Sequence, residues 1–196
     1  MLSVDKKTKI NPVLVVGMGP GGLVSAIELV KKGTPVVVLE NKEHFTRIQR
    51  VEVDEQTKKY LEKLKGSPMT DADKLFWGDQ HIDGKLNNEN GTVQIKDIQT
   101  YLFNKLEEFS NGANDRVSIL KGREFQLKSI DPQSQNVIVK TDKVDLAFEV
   151  SHIIAGDGAR RGTIELVNQK ATDEEQKVSY EALPIQVRQQ EVGTIY

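Results

Sequence analysis

The sequence predicts an α/β fold, a parallel sheet with a three-stranded antiparallel β-meander crossover. Two observations carry that expectation. Short apolar runs rich in β-branched residues occupy 13–16, 36–39, 117–120 and 152–155, the signature of strands covered on both faces. Between Leu120 and His152 the period drops to two, over 123–130, 136–141 and 144–150, with turns at Asp131-Pro132-Gln133 and Thr141-Asp142-Lys143. That alternation is how antiparallel strands with one wet face read.

The first strand ends at Gly17, and Leu23, Ala26, Ile27 and Val30 then fall on one helical face that Gly33 stops. A second buried strand closes at Glu40. Strand, glycine turn, helix and strand form a βαβ unit, with a right-handed crossover expected. Residues 54–65 predict a helix with Asp54 as N-cap and Tyr60, Leu61 and Leu64 as its buried face. Residues 75–77 (Leu-Phe-Trp) suggest a short strand, their aromatics belonging to the core. Ile95, Ile98, Leu102, Leu106 and Phe109 predict an amphipathic helix ending near Asn111-Gly112.

Composition narrows the function. The 196 residues hold 27 Lys and Arg against 29 Asp and Glu, a net charge of −2. No net basic field exists to attract nucleic acid. Without any Cys, disulfides, thiolate zinc sites, iron–sulfur clusters and cysteine nucleophiles are excluded. No stretch approaches the ~18 apolar residues of a membrane span. The first residues carry no apolar run of signal type, so a cytoplasmic protein is expected. No G-x-S-x-G, H-E-x-x-H or P-loop pattern is present. Asp79, His81 and Asp83 read as a solvated loop, so no metal site is expected.

The strongest motif is Gly17-Met18-Gly19-Pro20-Gly21-Gly22, a G-x-G-x-x-G between strand and helix. Gly17 permits the tight turn, Gly19 lets backbone approach a pyrophosphate, Gly22 lets helix and strand pack, and the helix N-terminus supplies amide donors. Glu40, closing the second strand, suits the ribose hydroxyls of an adenosine and disfavours a 2′-phosphate, so NADP is not the nucleotide of this pocket. The motif leaves FAD and NAD both open. Residues 1–169 are therefore expected to form a Rossmann-type FAD/NAD(P)-binding domain, with 170–196 a tail or the start of a second element.

The glycine motif, Glu40, Arg47, the helix from 95 and Gly156-Asp157-Gly158 together resemble the FAD-binding domain of class A flavin monooxygenases, the p-hydroxybenzoate hydroxylase group. Residues 40–47, 93–99 and 156–165 are most similar to the MICAL-type members. The resemblance covers residues 12 to about 166. It implies FAD as cofactor, NADPH as electron donor and oxygen chemistry through a flavin hydroperoxide on a substrate that the residues do not name. It also implies that Arg47 contacts the adenosine and pyrophosphate region and that Asp157 bonds the ribityl chain. Asn41 and Lys96 complete the implied cofactor-binding set with Gly17, Gly19, Pro20, Gly21, Gly22 and Glu40. Lys96 stands where the family usually carries Arg, keeping the charge without the bidentate fork. No catalytic side chain is assigned. The alternative is a non-catalytic dinucleotide-binding module; an NAD-dependent dehydrogenase is less favoured, lacking a recognisable His or Tyr/Lys site.

Overall fold

The computed structural model describes residues 11–81, 83–86, 91–111, 116–157 and 162–169. In chain order the elements are β1 (Val13–Val16), α1 (Pro20–Lys31), β2 (Val36–Glu40), β3 (Arg50–Glu52), α2 (Glu55–Glu62), α3 (Asp71–Trp77), β4 (Thr92–Gln94) and α4 (Ile95–Asn111). There follow β5 (Val117–Lys121), β6 (Gln126–Asp131), β7 (Asn136–Lys140), β8 (Leu146–Glu149), β9 (His152–Ala155) and α5 (Gly162–Asn168).

The central sheet is parallel, in the order β5-β2-β1-β9. Val13 pairs with Val36 and with His152, and Val36 pairs with Val117. Alternate residues of each strand face opposite layers. Val15, Val36, Val38, Val117, Ile119 and Ile154 belong to the helical core with α1, α2, α3 and α4. Leu14, Val16, Leu39, Leu120 and Ile153 pack with Ile130, Val137 and Val139 of the β6-β7-β8 meander and with Val150 just after it. Coverage on both faces is why these strands are continuous apolar runs rather than alternating ones. The meander is the connection between β5 and β9, the two outer strands of the sheet, as the change of period predicts.

The helix α1 stops on a C-terminal glycine turn: Gly33 adopts φ +72°. Its N–H donates to Val30 O at 2.8 Å while the Thr34 N–H donates to Leu29 O at 3.0 Å, the paired bonds of a left-handed glycine cap. In α2 the Asp54 carboxylate accepts the Thr57 N–H at 2.8 Å, the expected N-cap. The last residues of the expected 54–65 helix tighten into i→i−3 bonds, Leu64 N–H to Leu61 O and Lys65 N–H to Glu62 O, each 3.1 Å.

Two features differ from expectation. Residues 75–77 are the end of α3, not a strand. A capping box between Thr70 and Asp73 starts a helix just upstream, and that reciprocal pair outweighs a three-residue apolar signal. Phe76 is buried and Leu75 is exposed. The second difference is an antiparallel ribbon of β3 and β4, in which Val51 pairs with Val93. With one valine per strand, between charged neighbours in β3 and uncharged polar ones in β4, it offers no periodic signal. The expected tail, 170–196, lies outside the described residues, as does Gly158.

Candidate functional site at the carboxyl ends of the sheet

The Gly17–Gly22 turn, Glu40 and Asp157 lie at the carboxyl ends of β1, β2 and β9, neighbouring strands of one parallel sheet. Ligands of such sheets bind at this end. Gly17 sits at φ +93°, and a Cβ there would lie 2.5 Å from Gly156 O. A Cβ on Gly22 would lie 2.1 Å from Gly17 O. Both glycines are demanded by protein packing. Gly19 and Gly21 are not: a Cβ on Gly19 would meet only Gly156 O, at 3.6 Å, and one on Gly21 would meet nothing within 4 Å.

The turn opens α1, with Pro20 in the first helical turn and Gly19 at the N-cap. No side chain caps this helix, whereas Asp54 caps α2 and Thr70 caps α3. The first amides of α1 therefore have no side-chain acceptor and stand beside open space, with the positive end of the helix dipole behind them. This is a cradle of donors for an anion.

Glu40 is held before any ligand arrives. Its Oε2 accepts the Met18 N–H at 2.9 Å and its Oε1 accepts the Lys42 N–H at 2.9 Å. Each carboxylate oxygen keeps further acceptor capacity for a sugar hydroxyl. Asn41 beside it is exposed. The loop carrying Arg47 is fastened from two sides. The Lys96 N–H donates to Arg47 O at 2.9 Å and the Ile95 N–H to Gln49 O at 3.0 Å. On the other side, Lys121 Nζ donates to Glu43 O at 2.6 Å and sits 5.3 Å over the Phe45 ring and 5.1 Å over Phe103. Arg47 and Lys96 are thereby neighbours through backbone, with the Arg47 side chain in solvent.

Asp157 is half committed to structure. Its Oδ2 accepts the Thr163 N–H at 2.8 Å, tying β9 to the start of α5. Thr163 Oγ1 is buried without a partner among the described residues.

A family model for the FAD binding domain matches residues 11–195. The chain belongs to this family. FAD is accordingly the dinucleotide, which the glycine motif leaves undecided against NAD. This FAD-binding domain has no significant match among curated proteins. Solved structures share its fold: OxyS anhydrotetracycline hydroxylase from Streptomyces rimosus at 15% identity and TM-score 0.54, covering 79% of this chain and 34% of that one; p-nitrophenol 4-monooxygenase PnpA from Pseudomonas putida DLL-E4 at 21% and 0.51, covering 79% and 43%; and THI4 from Thermovibrio ammonificans at 14% and 0.55, covering 84% and 64%. The domain thus spans about a third of the length of the hydroxylase and less than half of the monooxygenase.

The cradle fits an FAD pyrophosphate on its own geometry, with uncapped amides, two glycines facing open space and an oriented acid one strand away. Gln99, the last residue of the 93–99 stretch, has a role that the resemblance does not imply: its buried Nε2 donates to Met18 O at 2.8 Å. It lies four residues after Ile95 and three before Leu102, inside the buried stripe, and a polar residue placed there needs a partner. Lys121 is overlooked because its role depends on a distant loop. Asp79 and His81 are exposed, and the His81 N–H donates to Asp79 Oδ1 at 2.7 Å. Among the described residues no group of three or more ligand-type side chains converges on a metal position, and no helix is long and apolar enough to cross a membrane.

Proposed function

We propose that this FAD-binding domain belongs to an NADPH-dependent flavin monooxygenase, closest in character to the MICAL-type enzymes. The observation that carries the cofactor geometry is the uncapped N-terminus of α1 behind Gly19 and Gly21. On this reading the pyrophosphate takes the backbone N–H groups of Gly19, Gly21 and Gly22, while Pro20 presets the first turn without competing as a donor. Gly17 shapes the turn. Glu40 accepts from the adenosine ribose, with Asn41 at its side. Arg47 and Lys96 neutralise phosphate charge, and Asp157 accepts from the ribityl chain.

Bound FAD supplies hydride acceptance and oxygen activation; the chain's residues bind and orient it. OxyS is a hydroxylase and PnpA a monooxygenase, and this supports the oxygenase reading, as do the motifs at 40–47 and 93–99. The proposed domain ends near residue 169, in a cytoplasmic protein.

The test is to load the purified chain with FAD, remove excess, and record the flavin spectrum before and after anaerobic NADPH or NADH. Retained FAD that bleaches faster with NADPH supports the enzyme. Retained FAD that neither nucleotide bleaches, in this chain or a full-length one, replaces it with a non-catalytic dinucleotide-binding module.

A further inference from the structure

Two successive peptides of the glycine turn are each held by a side chain from another element. The Gly17–Met18 peptide is held through its N–H, which donates to Glu40 Oε2 at 2.9 Å. The Met18–Gly19 peptide is held through its carbonyl, which accepts from Gln99 Nε2 at 2.8 Å. Gln99 is only 7% exposed and is built into α4, which packs against α1. An amide nitrogen can only donate, so the orientation of the Gln99 side chain is set by the carbonyl it meets.

A trans peptide points its C=O and its N–H in opposite directions. Pinning Met18 O toward Gln99 therefore turns the Gly19 N–H away from α4. Gly19 itself imposes little restraint on that plane, because a glycine tolerates either orientation. The space on the Gly19 side holds only Gly156 O within reach of a Cβ. We infer that Gln99 is a positioning residue for the cofactor: through Met18 it aims the Gly19 N–H at the pyrophosphate. The inference rests on the reading that the pyrophosphate sits at this turn.

It predicts a split by ligand. Ligands that carry a pyrophosphate depend on Gln99, and a nucleoside held at Glu40 does not. The experiment titrates the full chain and Q99M, a variant of similar length with no donor, with ADP and with adenosine. Q99M is expected to lose about tenfold in ADP affinity, the worth of one aimed hydrogen bond, and to keep its adenosine affinity. Equal affinity for ADP in both proteins, or a parallel loss for ADP and adenosine, overturns the inference. A wild-type chain that binds neither ADP nor FAD overturns the parent reading instead. Amide spectra of the wild-type chain give a second measurement that needs no variant. The Gly19 N–H resonance is expected to move strongly downfield with ADP and not with adenosine; a Gly19 resonance that ADP leaves in place also overturns the inference.

Discussion

Lys105 Nζ lies 3.0 Å from Asp73 Oδ2, and their side chains are 1% and 0% exposed. The pair locks α3 to α4, which also meet through the stacked rings of Phe76 and Tyr101. It is tolerable only because the carboxylate is saturated. Asp73 Oδ2 also accepts the Gly66 and Thr70 N–H groups at 2.9 Å each, and Oδ1 accepts the Tyr101 hydroxyl at 2.9 Å. Lys105 has a second carboxylate partner, Glu108 Oε2, at 2.6 Å.

D73A leaves buried Lys105 with Glu108 alone and strips the Gly66 and Thr70 N–H groups and the Tyr101 hydroxyl of their acceptor, so it is expected to cost about 3–5 kcal/mol. K105M should cost less, since Asp73 keeps its backbone and hydroxyl donors. Urea denaturation of the single variants and the double variant checks this, and additive losses would show that the pair is not coupled.

The same carboxylate sets an acid limit. Burial pushes its pKa up, but the Gly66 and Thr70 N–H groups, then Lys105 and Tyr101, outweigh burial and hold it at about 2 against an ordinary 3.8. A lowered folded-state pKa contributes stability above the unfolded value, and that stability is lost as the pH falls through the folded one. The contribution should be complete above about pH 4, amount to about 2 kcal/mol, and disappear toward pH 2. Stability curves of wild type and D73N from pH 5 to pH 2 should converge; parallel curves contradict this.

Three glycines of the turn should separate cleanly. Gly22→Ala drives a Cβ to 2.1 Å from Gly17 O and is expected to cost stability well beyond an ordinary surface change. Gly21→Ala meets nothing and keeps its N–H, so it should fold and bind FAD, with helix propensity adding about 0.5–1 kcal/mol. Gly19→Val touches little protein yet fills the space assigned to phosphate, so flavin content should vanish while melting temperature barely changes. Flavin retained in Gly19→Val removes the phosphate-site argument.

Asp157→Ala removes the acceptor for the Thr163 N–H, a loss of about 1 kcal/mol by analogy with helix caps. It should also weaken FAD retention, since the proposed ribityl contact goes with it. Asp157→Asn keeps an acceptor oxygen and should restore α5 more fully than it restores FAD. Thermal melts with and without FAD separate the two effects.

The glycine motif, Glu40 and the four apolar runs were legible because each rests on local chemistry: a turn that needs glycine, a strand buried on both faces, an acid at a strand end. The period change after Leu120 marked the meander for the same reason. Local signals also misled at residues 75–77, where three apolar residues suggested a strand and the Thr70–Asp73 capping box made a helix.

By itself the sequence determined the βαβ unit, the meander crossover and the glycine turn at the carboxyl end of the sheet, all consequences of neighbours within a few residues. Tertiary structure decided what those residues are bonded to. Gln99 reaches Met18 across 81 positions, Lys121 reaches Glu43 across 78, and Lys105 reaches Asp73 across 32. Periodicity can show that a Gln or Lys falls on a buried stripe, where an unpaired polar group is too costly to leave. It cannot name the partner, because only the packing of α4 against α1, α3 and the glycine turn, and of β5 beside the loop after β2, brings a carbonyl or a carboxylate within bonding distance.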